Sequence, residues 1–410
     1  MTASGVAPQR SPGHRRRPPQ PADTLMDRPP RRTMRIAFLI SRLDYGGTER
    51  QLLMLSQGLR ERGHSVVVLV YRPGGALEPE IRAAGVRIRV LEKRGRWDFA
   101  GFLVRLHRIL REEQPDVLHG YLGVPNVMAV PFRLAVGGPR IVWGERASRI
   151  DRRHHDLSAR FVGVAARALS RAPNLVIVNS RAGFEHAAAK GYPRDRMTVI
   201  PNGFDITRFA PDRAAGRTWR HAWNVDDATL LVGYVARMHP VKDHRTFLAG
   251  AALLAKRRAD VRFACVGGGD PSYRRKLQDF ACEHGLTDQV LWVDAQADMP
   301  RVYNALDLAC SASSSEGFPN TVGEAMACGV PCVVTDVGDS AWLLGQPSLV
   351  VPPGDAVALG ERIGALLDDR ARLAQLRVEV RERIVSNFSI SRLVTATEDA
   401  LTALLEGTSR

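Results

Sequence analysis

Glu316 and Glu324 stand eight positions apart in residues 313–331, which read Ser-Ser-Ser-Glu-Gly-Phe-Pro-Asn-Thr-Val-Gly-Glu-Ala-Met-Ala-Cys-Gly-Val-Pro. The apolar run ending near Ser311 predicts a strand with Glu316 on the loop after it. Pro319 and Asn320 then open a helix that carries Glu324 in about its first turn. Both carboxylates would face one cleft. Gly317, Phe318, Pro319, Asn320 and Thr321 would line it, with the free N–H groups of the helix start offered to phosphate or sugar oxygens. A carboxylate accepts hydrogen bonds from vicinal hydroxyls, so one of the pair could hold a donor sugar and the other a ribose. Two other readings stand beside this one. Paired carboxylates flank the scissile bond in hydrolases, and a glutamate near a helix start is favoured by the dipole alone.

Other loops add charge and backbone donors. After the first strand, Gly46 and Gly47 precede Thr48-Glu49-Arg50, where glycine lets backbone approach a ligand and the helix start favours an anion. Arg237 ends another strand and Lys242 follows five residues later, a cation pair suited to a diphosphate. Gly267, in Val266-Gly267-Gly268-Gly269, reads as a tight turn lining a nucleotide pocket, without the spacing of a dinucleotide fingerprint. His119 closes a strand and should point into the cleft. Arg146 either meets an acceptor or pairs with Glu145.

These loops need a scaffold that gathers strand ends. From Met34 onward, short apolar runs alternate with amphipathic stretches, the pattern of parallel sheets with crossover helices. Strands are expected at 35–40, 65–71, 86–91, 116–119, 140–143, 175–179 and 197–200. A second series covers 230–236, 261–266, 290–293, 306–311, 330–335 and 349–351. The reading is an α/β protein: residues 34–200 as one Rossmann-like domain, 201–227 as a linker, 228–388 as a second and 389–410 as a C-terminal helix. Ligands of open parallel sheets bind beyond the strands' carboxyl ends, where the residues named above lie.

At 410 residues the chain suits two domains, and 45% hydrophobic with 25% charged residues is ordinary for a globular protein. No apolar run approaches the roughly 20 residues that span a bilayer. A third of the net charge of +15 sits in residues 1–33, a Pro-rich basic tail without a secretory apolar segment and expected to be disordered. Nucleic-acid binding is not expected, since no basic motif with interleaved aromatics occurs outside that tail. Five cysteines without a Cys-x-x-Cys pair fit a reducing, cytoplasmic setting.

Residues 313–331 resemble the Glu-x7-Glu hallmark of glycosyltransferase family 4, and the similarity extends over nearly everything after Met34. Secondary matches are residues 46–50, 199–205 with Phe209, Arg237 with Lys242, and 266–269. The resemblance implies a GT-B fold, two Rossmann-like domains facing each other across a cleft, with residues 34–200 as the acceptor-binding domain and 228–388 as the nucleotide-sugar-binding domain, and a retaining hexosyl transfer from a nucleotide sugar. It implies Glu316 at the hydroxyls of the transferred sugar, with His119 beside it as the second catalytic residue. Glu324 would hold the ribose, and Arg237 and Lys242 the diphosphate, helped by amides near Gly47. The expected co-substrate is a UDP- or GDP-sugar, with no cofactor and, in the absence of a strand-end Asp-x-Asp, no metal. The acceptor is expected to be a glycan or a lipid-linked molecule, with Arg146 on its side. The sequence departs from the family's habit at Asp294-Ala295-Gln296, where a glycine is usual beside the base. A sugar-nucleotide epimerase or phosphorylase would share the fold. The basic helix over 99–113 suggests peripheral contact with an anionic membrane at the inner face of the cell membrane.

Overall fold

Runs of Val, Ile and Leu bounded by turn residues become strands covered on both faces, which is how parallel sheets bury their backbone. The computed structural model describes residues 32–95, 98–134, 138–146 and 157–407. The expected disorder of residues 1–33 therefore falls, but for the last two, outside the described residues. Residues Met34–Arg410 form one compact unit.

The first lobe runs β1 (Arg35–Ile40), α1 (Gly47–Glu61), β2 (Ser65–Val70), α2 (Glu78–Ala83), β3 (Arg87–Val90), α3 (Phe99–Glu113), β4 (Val117–Tyr121), α4 (Gly123–Ala129), β5 (Arg140–Glu145), α5 (Leu157–Ala168), β6 (Leu175–Val178), α6 (Arg181–Ala189) and β7 (Met197–Val199). Its strands pair in parallel in the order β3-β2-β1-β4-β5-β6-β7.

The second lobe runs α7 (Arg213–Ala222), β8 (Leu230–Val235), α8 (His244–Ala255), β9 (Val261–Val266), α9 (Pro271–Glu283), β10 (Val290–Val293), α10 (Met299–Ala305), β11 (Leu308–Ser311), α11 (Asn320–Ala327), β12 (Cys332–Thr335), α12 (Ser340–Leu344), β13 (Val350–Val351), α13 (Ala356–Asp368) and α14 (Arg370–Asn387), after which α15 (Ile390–Glu406) returns to the first. Its sheet, again parallel, has the order β10-β9-β8-β11-β12-β13. Strand order reverses between β1 and β4 in one sheet and between β8 and β11 in the other. Such reversals open a crevice at the carboxyl ends, because adjacent loops leave in opposite directions.

Local chemistry sets many helix starts. Asp270 accepts the amide of Tyr273 at 2.9 Å ahead of Pro271, which needs no N–H partner at the first helical position. Asp355, Asp369 and Ser389 cap α13, α14 and α15 in the same way.

Residues 201–227, expected to be a linker, contain α7, which packs on α10. Gly216 lies so close to that helix that a Cβ there would stand 2.1 Å from the Asn304 carbonyl oxygen. Arg220, buried, pairs with Asp307 at 3.0 Å. The connection between lobes is narrower. Phe204 N donates to Phe388 O at 2.8 Å and Ile390 N to Phe204 O at 3.1 Å, so the outgoing and returning chains cross side by side. The returning chain becomes α15, whose Leu393, Val394 and Leu401 join the buried cluster of α1, β1 and β2 in the first lobe. Glu398 takes Arg62 at 2.6 Å and His64 Nε2 at 3.2 Å, while Met34 N donates to His64 Nδ1, which places the ring proton on Nε2.

Candidate active site

A cavity of 530 Å³ lies between the lobes, lined among others by Gly47, Arg50 and Gln51 of α1, Lys242, and Phe318 to Thr321 with Glu316 and Glu324. Two helices end on it without side-chain caps. Gly46 precedes α1 and Pro319 precedes α11, and neither closes its helix with a side chain. The two helix starts approach until a Cβ on Gly47 would lie 2.7 Å from Asn320 Nδ2. Their open N–H groups and partial positive charge point at the same space.

Glu316 is held from beneath. Its Oε1 accepts from Lys242 Nζ at 2.5 Å and from Ser313 Oγ at 2.7 Å. Ser313 in turn meets the Tyr234 hydroxyl at 3.1 Å, and that hydroxyl donates to Lys242 O at 2.5 Å. One buried tyrosine thus steadies both partners of the carboxylate. Glu324 accepts from the Tyr303 hydroxyl at 2.7 Å. Burial raises its pKa, opposed by that hydrogen bond and by the charges of Arg50 and Arg208.

Several expected site residues are placed differently. β4 continues two residues past His119 through Gly120 and Tyr121, so His119 is interior rather than at the strand end. Its ring packs between Phe38, its register partner on β1, and Tyr121, at 1% exposure. Neither ring nitrogen has a partner among the described residues. It does not line the cavity, and burial with the nearby Arg146 charge pushes its pKa down to about 3, so the ring is neutral. Gly267 does not line the cavity either. At φ +146° it passes so near the preceding loop that a Cβ would sit 2.2 Å from Ala236 O, and Met238 N donates to Gly268 O at 2.8 Å. The glycines serve the packing of two loops. Arg237 is exposed and outside the lining, whereas Lys242 is inside it.

Arg146 pairs with neither Glu145 nor open space. It donates to Asn202 Oδ1 at 2.8 Å and to the Tyr121 hydroxyl at 3.0 Å, and Asn202 donates onward to Asn320 Oδ1 at 2.8 Å. A polar chain therefore runs from the first lobe to the start of α11. Gly317 is not in the lining, and its carbonyl accepts the Asp339 amide at 3.0 Å. Phe318 reaches the cavity but is mostly buried among Phe204, Trp342 and Phe388.

Residues 45–208 match the family model described as Glycosyltransferase Family 4, and residues 229–369 match Glycosyl transferases group 1. The chain belongs to glycosyltransferase family 4. A 2-deoxystreptamine N-acetyl-D-glucosaminyltransferase of Streptomyces fradiae is 28% identical, over 80% of this chain and 84% of that protein. The lipopolysaccharide core biosynthesis mannosyltransferase LpsB of Rhizobium meliloti (strain 1021) is 32% identical, over 50% of this chain and 61% of its own length. Among solved structures, Anabaena HepE in complex with UDP-glucose superposes with a TM-score of 0.77 at 22% identity, covering 90% of this chain and 100% of that one. That likeness is one of fold, and the fold is GT-B.

Two cations of this glycosyltransferase's cavity were not singled out from the sequence. Arg50 stands in the first turn of α1, three residues after Gly47, a spacing that brings it round to the same face. Arg208 follows a turn in which Asp205 Oδ1 accepts from Thr207 N and Arg208 N, both at 3.0 Å. That stretch read as a linker, so its arginine drew no notice. Among the described residues no helix is long and apolar enough to cross a membrane, and no cluster of His, Cys, Asp or Glu is placed to hold a metal ion.

Proposed function

We propose that this glycosyltransferase moves a sugar from a UDP- or GDP-sugar to a glycan or lipid-linked acceptor, with retention at the anomeric carbon and without metal or cofactor. The observation that carries the reading is the convergence of two uncapped helix starts with Lys242, Arg50 and Arg208 on a cavity that also holds Glu316 and Glu324. A diphosphate fits the cations and amides, and sugar hydroxyls fit the carboxylates. In this scheme the bond from the anomeric carbon to the phosphate oxygen breaks while the acceptor oxygen bonds on the same face, and the departing phosphate takes the acceptor's proton. Lys242 and the helix starts oppose the charge that grows on that phosphate. Glu316 grips the transferred sugar, Glu324 the ribose. HepE's complex with UDP-glucose supports a uridine nucleotide, and the name of LpsB supports a cell-surface glycan as the product's destination.

A panel of UDP, GDP and ADP sugars, screened by thermal shift and then by release of free nucleotide with candidate acceptors, tests the proposal. Glu316→Ala is expected to keep the fold and lose transfer by at least about 100-fold, roughly 2.7 kcal/mol of transition-state stabilisation. Near-normal turnover in that variant would refute the assignment. Isomerised nucleotide sugar formed without acceptor would instead favour an epimerase.

The same reading puts the enzyme in the cytoplasm, against the inner face of the cell membrane. Phe161 on α5 is 75% exposed and Val104 on α3 is 69% exposed, and both helices cover one face of the first sheet with basic residues alongside. Sedimentation with anionic vesicles at low salt, lost on Phe161→Ser with Val104→Ser, is the expected outcome. Equal sedimentation of the two proteins would remove this pair from the contact.

A further inference from the structure

Asp339, at the turn between β12 and α12 in the second lobe, is buried against the first lobe. Its Oδ2 accepts from Arg181 N at 2.6 Å and its Oδ1 from Ala182 N at 2.9 Å. These are the first two amides of α6, and the third, that of Gly183, is taken by Ser180 Oγ at 2.9 Å. The α6 start is thus closed jointly by its own serine and by a carboxylate from the opposite lobe, where the helix dipole favours negative charge. The Arg181 guanidinium also lies 4.2 Å over the Trp342 ring of α12.

The backbone around Asp339 faces the other way, onto the active site. Asp339 N donates to Gly317 O at 3.0 Å. Gly338, at φ +56°, sits so near the Glu316–Gly317 peptide that a Cβ would stand 2.4 Å from Glu316 O. The turn bearing Glu316 therefore rests on a residue whose side chain is anchored in the first lobe.

We infer that Asp339 is a positioning residue, which transmits the docking of the α6 start to the Glu316 turn and so sets where the Glu316 carboxylate stands in the cavity. The inference rests on the reading of Glu316 as the carboxylate at the transferred sugar. Asp339 touches no substrate. Misplacing Glu316 penalises the reacting geometry more than nucleotide binding, which depends on other groups.

Arg181 offers a clean way to cut the link from the far side. Proline is tolerated at the first position of a helix, and Ser180 already has the extended backbone, φ −152° and ψ 151°, that a following proline requires. Arg181→Pro removes the N–H that Asp339 accepts and also the side chain over Trp342. Arg181→Ala removes only the side chain. Asp339→Asn keeps the size of the side chain and withdraws one acceptor and the charge.

The experiment reads hydrogen exchange in the full chain, together with steady-state turnover of the donor found in the sugar panel. For Arg181→Pro and Asp339→Asn the expected result is at least tenfold faster exchange at the amide of Asp339 and at that of Ser314, which donates to Val241 O at 2.9 Å just ahead of Glu316, with residues 261–266 unchanged. The expected kinetics are at least a tenfold fall in kcat with donor KM within threefold. Arg181→Ala should match the parent protein, and the double variant Arg181→Pro, Asp339→Asn should be no worse than either single one, since both cut the same link. Faster exchange confined to α6 in Arg181→Pro, with Ser314 and Asp339 unmoved, overturns the inference. So does a parallel loss of kcat and KM accompanied by faster exchange throughout β9. If the parent protein turns over no nucleotide sugar, the proposed function fails by itself, and the exchange at Ser314 and Asp339 still decides whether docking is transmitted.

Discussion

Two buried imidazoles without a hydrogen-bond partner among the described residues should lower this enzyme's stability in acid. His119 and His244 are both enclosed, and burial, aided by Arg146 beside the first and Lys242 beside the second, lowers their pKa values to about 3 and about 4. Unfolding returns each ring to near 6.5, so below that pH the unfolded chain binds protons that the folded one refuses. Stability therefore falls as the pH drops, by roughly 2 kcal/mol for each ring between pH 7 and pH 5. His119→Phe, set between Phe38 and Tyr121, should lessen the fall in melting temperature over that interval, as thermal unfolding at the two values would register. An unchanged fall would mean that His119 titrates normally. The type of residue at 119 was legible in the sequence and its place was not. The strand reads as ending at His119, while pairing of Gly120 with β1 and of Gly120 and Tyr121 with β5 carries β4 on through both.

Two helix starts facing each other across a cavity make a site that depends on backbone more than on side chains. Gly47 leaves room for Asn320, and Gly47→Val would press its branched side chain against that amide, driving the starts of α1 and α11 apart. The expected outcome is at least a tenfold loss of UDP or GDP affinity by calorimetry, with a melting temperature close to the parent's. An unaltered affinity would show that the two starts do not act together on the nucleotide. At this scale the sequence was most informative where one element carried the whole message. Glu316, Pro319, Asn320 and Glu324 lie within nine residues, and loop-then-helix spacing alone brings them to one place. Arg208 and Asp339 gave no local sign. Arg208 follows the lobe crossing in a polar stretch that looked like a tether, and Asp339 meets α6 some 158 positions away in the chain. α7 was hidden for a related reason, since its buried residues are Gly216 and Arg220 rather than an apolar stripe.

The whole molecule has alternation of strands and helices written along it, so both parallel sheets were foreseeable, though not the order in which their strands pair. The return of α15 to the first lobe was not, because an amphipathic helix says that it will be covered and never by which surface. Gly58 of α1 accommodates Val394 so closely that a Cβ would stand 2.4 Å from its Cγ2, and Glu398 joins His64 and Arg62 at the same seam. During synthesis, the first lobe emerges from the ribosome without α15 and must wait, with the Gly58 side of α1 uncovered, while the second lobe is made. A chain stopped after Phe388 should therefore spoil the lobe that was translated first: residues 34–200 would expose apolar surface and bind a hydrophobic dye, while the second lobe kept its protection from proteolysis. On this account the first lobe finishes folding only once α15 has been made.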